Sequence, residues 1–199
     1  MDKNRIARRP AAVSGVLAVL LPCAVAGAPV ALAGEDGAWS GHIGVFLGAK
    51  SLDQDYWAPA DDHTEFGIRA DVGQANWPVA LTVEYLKSSG DGDFLGATFD
   101  GETSELAIGG KWIVASADSP YLVTLAGGVT RIEAEYTGLG ISDKDSVLGA
   151  WGAAGVAYAM NDRLSVGGEV RVSAGDVELF GAEGSAGGIH YGVVLEYAW

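Results

Sequence analysis

Three histidines, His42, His63 and His190, and one cysteine, Cys23, are the residues best suited to chemistry. A hydrolytic centre would need one of these histidines beside a serine and a carboxylate, with nucleophile, base and orienter in mutual reach. Asp61-Asp62-His63 has the composition of an acid–base or metal cluster, but no second cluster completes it, and a solvated loop is expected there. A second set is nine charged residues set into apolar or small-residue segments: Glu65, Arg69, Asp71, Glu84, Glu105, Lys111, Glu169, Arg171 and Glu196. A third is acidic clusters: Asp53, Asp55, Asp61 and Asp62; Asp91, Asp93, Asp100 and Glu102; Glu133, Glu135, Asp143 and Asp145; Asp176, Glu178 and Glu183. Carboxylates are hard-oxygen ligands suited to Ca²⁺ or Mg²⁺. Asp91-Gly92-Asp93 and Asp143-Lys144-Asp145 are too short for an EF-hand loop, so these clusters are read first as solvating charge, with divalent cations as possible partners. No cofactor, metal site or catalytic residue is assigned.

The N-terminus explains the cysteine. Lys3, Arg5, Arg8 and Arg9 precede an uncharged run from Ala11 to Ala26, and Ala31-Leu32-Ala33 follows. Basic, apolar, then A-x-A is the order of a secretory signal peptide. Cleavage is expected after Ala33, giving a leader over 1–33 and one domain over 34–199. Cys23 lies in the leader behind Pro22, a poor lipoprotein context, so the mature chain has no thiol. The full chain of 199 residues carries a net charge of −14; loss of four basic residues and Asp2 with the leader takes it to −17. Such acidity argues against nucleic acid as a partner, since phosphate binding needs clustered positive charge.

The mature sequence contains no apolar run long enough for a transmembrane helix. It alternates instead, with a period of two, which marks strands with unlike faces. Eight segments do so: 39–48, 65–72, 77–86, 105–114, 121–130, 148–160, 164–173 and 189–199. In the last, Ile189, Tyr191, Val193, Leu195, Tyr197 and Trp199 share one face, against His190, Gly192, Val194, Glu196 and Ala198. The sixth is rich in Gly and Ala, and its register is the least defined; the reading puts Leu148, Val156 and Tyr158 on one face and Trp151 on the other. Long connections (49–64, 87–104, 131–147, 174–188) alternate with short ones (73–76, 115–120, 161–162). That rhythm belongs to transmembrane barrels, with short periplasmic turns and longer outside loops. Gly90, Gly92, Gly138 and Gly140 mark the second and third long connections as irregular.

Three features place the apolar face against lipid. Its Leu, Val, Ile, Tyr and Trp would overfill a small barrel. The opposite face is mostly Gly, Ala, Ser and Thr with a few charges of both signs, which suits a narrow packed lumen. Aromatics fall near the ends of the apolar faces, as in membrane-interface girdles: Trp39, Trp77, Tyr85, Trp112, Tyr121 and Tyr158, with Tyr197 and Trp199 on the last strand. The nine charges then point inward as a paired network, since buried charges need partners. His42 and His190 also point inward from the first and last strands. These are neighbours in a closed barrel, so the two histidines could meet, or pair with Glu196.

The segment from Tyr191 to Trp199, with Tyr191, Leu195, Tyr197 and Trp199 at alternate positions, resembles the terminal strand of bacterial outer-membrane proteins. Trp199 stands where Phe is commoner. The span from about Trp39 to Trp199 resembles the small eight-stranded OmpA- and OmpX-like barrels. The resemblance implies an all-β, eight-stranded antiparallel up-and-down transmembrane β-barrel in the Gram-negative cell outer membrane, delivered by the barrel-assembly machinery and contacting outer-membrane lipid and lipopolysaccharide. It does not imply one activity, because such barrels serve many. The expected role is non-enzymatic: surface structure, adhesion or envelope integrity through the acidic outside loops. A narrow channel for small or apolar solutes comes second and an outer-membrane hydrolase third. No periplasmic peptidoglycan-binding domain is expected.

Overall fold

The computed structural model describes residues 38–74, 77–115 and 119–199. The expected leader and parts of the first two short turns lie outside the described residues. Eight barrel strands follow in chain order: β1 (Trp39–Ser51), β2 (Asp62–Gln74), β3 (Ala80–Phe94), β4 (Ala97–Ala115), β5 (Tyr121–Gly138), β6 (Ile141–Ala159), β7 (Leu164–Ala174) and β10 (Gly188–Ala198). Between β1 and β2 lies a single helical turn, α1 (Gln54–Trp57), and between β7 and β10 a small hairpin, β8 (Asp176–Leu179) and β9 (Ala182–Ser185). The barrel closes in the order β1-β10-β7-β6-β5-β4-β3-β2, with every neighbouring pair antiparallel. Closure pairs first with last strand, Val45 opposite Leu195 and Lys50 opposite His190. No sheet edge is then left in the bilayer, which offers backbone groups no partner.

The alternating faces decide what lies where. Ile43, Leu47, Phe66, Ile68, Leu106, Ile108, Val129, Val156, Val172 and Val193 are exposed on the outer wall, where lipid covers them. The nine charged residues are buried in the lumen. β6 follows the same rule: Leu148, Val156 and Tyr158 face out, and Trp151 is buried inside. In mid-lumen, Phe46, Leu86 and Val194 form a small apolar cluster. The Phe46 ring lies over Gly48 and Gly192, 2.8 Å from where either Cβ would sit, so larger residues there would displace it.

The long connections differ from expectation. Segments 87–104 and 131–147 are largely continued strand rather than irregular loop, with β3, β4, β5 and β6 running 15, 19, 18 and 19 residues. A strand needs only about 9–11 residues to cross a membrane. The surplus therefore projects beyond the outer mouth as two long hairpins. At their bases the inward residues Ser88, Thr103, Ile132 and Ala134 are still buried; toward the tips both faces meet water, so the apolar alternation stops while backbone pairing continues, and Gly90, Asp91, Gly92 and Asp93 are strand residues. The reversals occur at Leu95-Gly96 and Leu139-Gly140, and β8–β9 reverses likewise at Phe180-Gly181. Both residues of each pair have positive φ, from 52° at Leu95 and Phe180 to 81° at Gly96. Two-residue hairpin turns demand this because their twist matches that of the flanking strands. At the opposite end, β3 begins at Ala80 rather than Trp77. Pro78, which has no N–H to donate, precedes it.

Candidate functional site

The lumen holds one continuous polar network. At its outer end, Lys50 on β1 donates to Thr103 Oγ1 (2.9 Å) and the carbonyl of Ala186 (3.0 Å), and pairs with Glu105 (2.9 Å). Arg171 pairs with Glu84 and lies 3.3 Å from Glu105. Its guanidinium also sits 4.2 Å over the Trp151 ring. Arg69 makes a two-pronged contact with Glu169 at 2.6 and 2.5 Å, lies 3.4 Å from Glu84 and reaches Glu196 at 3.7 Å. Lys111 closes the periplasmic end with Asp71 (2.7 Å) and Glu196. Planar guanidinium against carboxylate gives the network directional as well as Coulombic strength. Ion pairs block the lumen at the level of Arg69: the space beside Arg69, Thr124, Gly167 and Glu196 measures about 10 Å³, at the lower limit for a single water.

Lys50 was not among the expected lumen charges, since 49–64 reads as a connection in the sequence. The signal was there in parity: Lys50 continues the inward series His42, Gly44, Phe46, Gly48. The same extension places His63 with Glu65, Ser88 with Leu86 and Thr103 with Glu105.

The histidines require correction. His63 is not in a solvated loop; it is the second residue of β2, 2 % exposed, with Ser88 Oγ at 3.0 Å from Nδ1 and the Ala60 carbonyl at 3.0 Å from Nε2. His42 and His190 do not meet. His42 lies level with Ala198 and His190 level with Lys50, eight residues along β1, or roughly 25 Å of strand. Nor does His190 reach Glu196. Its Nδ1 lies 2.8 Å from Glu65 and its Nε2 2.9 Å from Ser173 Oγ. The barrel thereby assembles a serine, a histidine and a carboxylate from three strands.

Ser173 Oγ donates to Glu105 at 2.8 Å. A carboxylate such as Glu65 only accepts, so Nδ1 donates to it. Ser173 Oγ also lies 2.9 Å from Nε2, and the protonation of the ring sets which way that hydrogen bond runs. Ser173, His190 and Glu65 are all buried. The trio links β2, β7 and β10 across the lumen.

Above the network sits an apolar cap. Trp57 of α1 is fully buried among Leu52, Ile132, Ala134, Val177, Leu179 and Ala186. Asp53 caps α1 by accepting from the Asp55 amide. The Trp57 indole donates to the Ser185 carbonyl (2.7 Å), tying α1 to the β8–β9 hairpin. Tyr56 does the same, donating to Ala182 O and accepting from the Leu179 amide, each at 2.9 Å. The hairpin is fixed from its other side by β6, whose Asp145 and Asp143 carboxylates accept from the Glu178 (2.9 Å) and Phe180 (2.6 Å) amides. Among the described residues, no group of three or more His, Cys, Asp or Glu converges as a metal site.

A model of the outer membrane protein beta-barrel domain family matches residues 17–196, nearly the whole chain. The chain belongs to that family of outer-membrane β-barrels. Solved structures similar in fold include OprG from Pseudomonas aeruginosa (TM-score 0.60, 11 % identity, covering 82 % of this chain and 97 % of that one). Neisserial surface protein A is similar too (0.55, 12 %, 82 % and 99 %). So is Ail, the attachment invasion locus protein of Yersinia pestis (0.52, 11 %, 83 % and 100 %). At these identities the likeness is one of fold. No curated protein sequence matches the chain.

The outer-membrane barrel's aromatics lie at the ends of its outer wall. Trp39 and Trp77 meet edge to face at 5.5 Å, and Tyr121 and Tyr158 at 5.7 Å, both pairs at the periplasmic rim. Trp112 lies toward the same rim, half-buried, and Tyr85 is exposed toward the outer one. Tyr191, Leu195 and Tyr197 face outward on β10. Trp199, just past the strand, exchanges backbone hydrogen bonds with Gly41 (3.3 and 3.0 Å).

Proposed function

We propose that this outer-membrane barrel works at the cell surface, as a non-enzymatic adhesion or surface-structural protein whose active parts are its projecting hairpins. The observation that supports this is the contrast between the two ends of the same strands. Inside the membrane the strands enclose a lumen blocked by ion pairs. Outside it β3–β6 continue as paired sheet, with carboxylates along both hairpins. A protein selected for transport has no need of that projection, and an anchor has no need of an open lumen. The test compares cells displaying the full chain with cells displaying a variant whose β3–β4 and β5–β6 hairpins are cut back to short turns near Lys87–Ser104 and Glu133–Ser146. Both should migrate differently on detergent gels before and after boiling, as closed barrels do. Surface attachment should be lost only in the trimmed form. Equal attachment by both would refute the reading.

Export on this reading uses the leader, so the mature N-terminus should be Gly34, which intact-mass analysis of the membrane fraction checks. Tyr191, Leu195, Tyr197 and Trp199 would present the terminal strand to the barrel-assembly machinery. The acidic hairpins would hold divalent cations against lipopolysaccharide phosphates, so chelator should increase protease nicking of the hairpins in native membranes.

A further inference from the structure

The three outer hairpins end alike. Each turns on an apolar residue followed by glycine: Leu95-Gly96, Leu139-Gly140 and Phe180-Gly181. The first position of such a turn favours Asn, Asp or Gly, which tolerate positive φ. Here it is held by Leu, Leu and Phe at φ 52°, 53° and 52°, a conformation disfavoured for bulky side chains. The same three side chains stand in water, 92, 76 and 53 % exposed, and Phe94 and Ile141 beside them are exposed as well. Backbone strain and apolar exposure therefore coincide at all three apices. Neither helps the fold, and strain of this kind is retained where it serves function.

The tips are contiguous. The β3–β4 and β5–β6 hairpins pair side by side, Phe99 opposite Gly138. The β8–β9 hairpin is tied to β6 through Phe180 and Glu178. Each apolar apex is only one or two residues deep and is flanked by carboxylate: Asp93, Asp143, Glu178 and Glu183. The β3 strand runs nine residues past Tyr85 to Phe94, so the first apex stands roughly 20 Å beyond the apolar band, allowing for strand tilt. It is therefore clear of the protein's own bilayer core.

We propose that these three tips insert into an opposing lipid bilayer whose headgroups are zwitterionic, of the phosphatidylcholine type. Shallow apolar points on separate hairpins fit a surface that admits single side chains anywhere, which a bilayer does and a preformed protein pocket does not. The acidic collar supplies charge complementarity. A phosphocholine headgroup places its quaternary ammonium outermost, where Asp93, Asp143, Glu178 and Glu183 meet it as the tips pass below. An anionic bilayer would repel the same collar. This deepens the adhesion reading and rests on it.

The test uses the full chain in nanodiscs and its co-flotation with phosphatidylcholine vesicles. The variant is the triple Leu95→Asn, Leu139→Asn, Phe180→Asn. Asn suits positive φ, so the turns should be kept or relieved, and an unchanged heat-dependent gel shift checks the fold. Wild type should co-float, and each tip removed should weaken association roughly tenfold. Phosphatidylglycerol added to the vesicles should weaken wild-type binding further. Failure of the wild type to co-float, or equal co-flotation of wild type and triple variant, overturns the proposal. If the triple variant still attaches to cells and neither form binds vesicles, the adhesion reading stands without the bilayer. If the triple variant loses cell attachment while wild type ignores vesicles, the tips serve a protein partner and the bilayer proposal falls.

Discussion

Lys50 on β1 and Glu105 on β4 meet across the outer end of the lumen, Nζ to Oε1 2.9 Å, with both side chains essentially inaccessible to solvent. Neither strand is a neighbour of the other in the barrel. The contact therefore braces opposite walls, and its two members are not equivalent. Lys50 holds Glu105, Thr103 and a backbone carbonyl, whereas Glu105 serves Lys50, Arg171 and Ser173 together.

That asymmetry predicts unequal losses. Glu105→Leu leaves Lys50 with no carboxylate, takes from Arg171 one of its two and unpairs the Ser173 hydroxyl, and should cost about 3–5 kcal/mol. Lys50→Met leaves Glu105 with Arg171 and Ser173 and should cost about 1–3 kcal/mol. Urea unfolding of barrels refolded in lipid vesicles measures both. A Lys50 variant as damaged as the Glu105 variant would contradict the assignment of Glu105 as the hub.

The blocked lumen predicts electrical silence. In planar bilayers the intact barrel should give no steady conductance steps in either KCl or a buffer of larger ions. Reproducible steps at neutral pH would mean that Arg69, Glu169 and Arg171 part to leave a water path, and would favour the narrow-channel alternative.

The β8–β9 hairpin should release in acid. Two backbone amides, of Glu178 and then Ser146, donate to the Asp145 carboxylate and hold it below its ordinary value of 3.8. A carboxyl depressed in the folded state contributes its full stabilisation above that ordinary value and loses it as pH falls through the lower, folded one. Protection of the 176–185 amides from exchange, relative to an unstructured chain at the same pH, should therefore be high at neutral pH and fall below about pH 4. In Asp145→Asn the acid-induced step should shrink, with exchange faster already at neutral pH. An acid step of unchanged size in the variant would assign the release to another group.

Trp57 is expected to carry the cap. Truncation to Ala removes a fully buried indole and its bond to the Ser185 carbonyl. Large aromatic deletions cost about 3–5 kcal/mol. The loss should be local, appearing as protease cleavage between Ser51 and Asp62 and within 176–185, while the heat-dependent gel shift of the barrel persists. Uncut loops would show that the cap stands without Trp57.

The chain's own residues determine the two faces of the sheet, because side chains alternate along a strand whatever lies beside it. That is why Arg69, Lys111 and Arg171 could be placed inside, and Leu47, Val129 and Val193 outside, without knowing one contact. Even Trp151, in a Gly/Ala-rich segment, obeys the parity of its neighbours. The pattern is legible only where the two faces meet different media. Toward the tips of the outer hairpins both faces meet water, so the ends of β3–β6 carry no hydropathy signal and read as loops. Which residues pair is not local either. Arg69 finds Glu169 100 positions away, and His190 finds Glu65 125 away. Those distances close only when β1 meets β10 and the stagger of all eight strands fixes which inward side chains share a level. The sequence therefore settles membrane, barrel and lumen charge. The tertiary structure decides the ion-pair partners, the burial of His63 beneath a Trp57 cap, and the gathering of three apolar turns on one side of the outer rim.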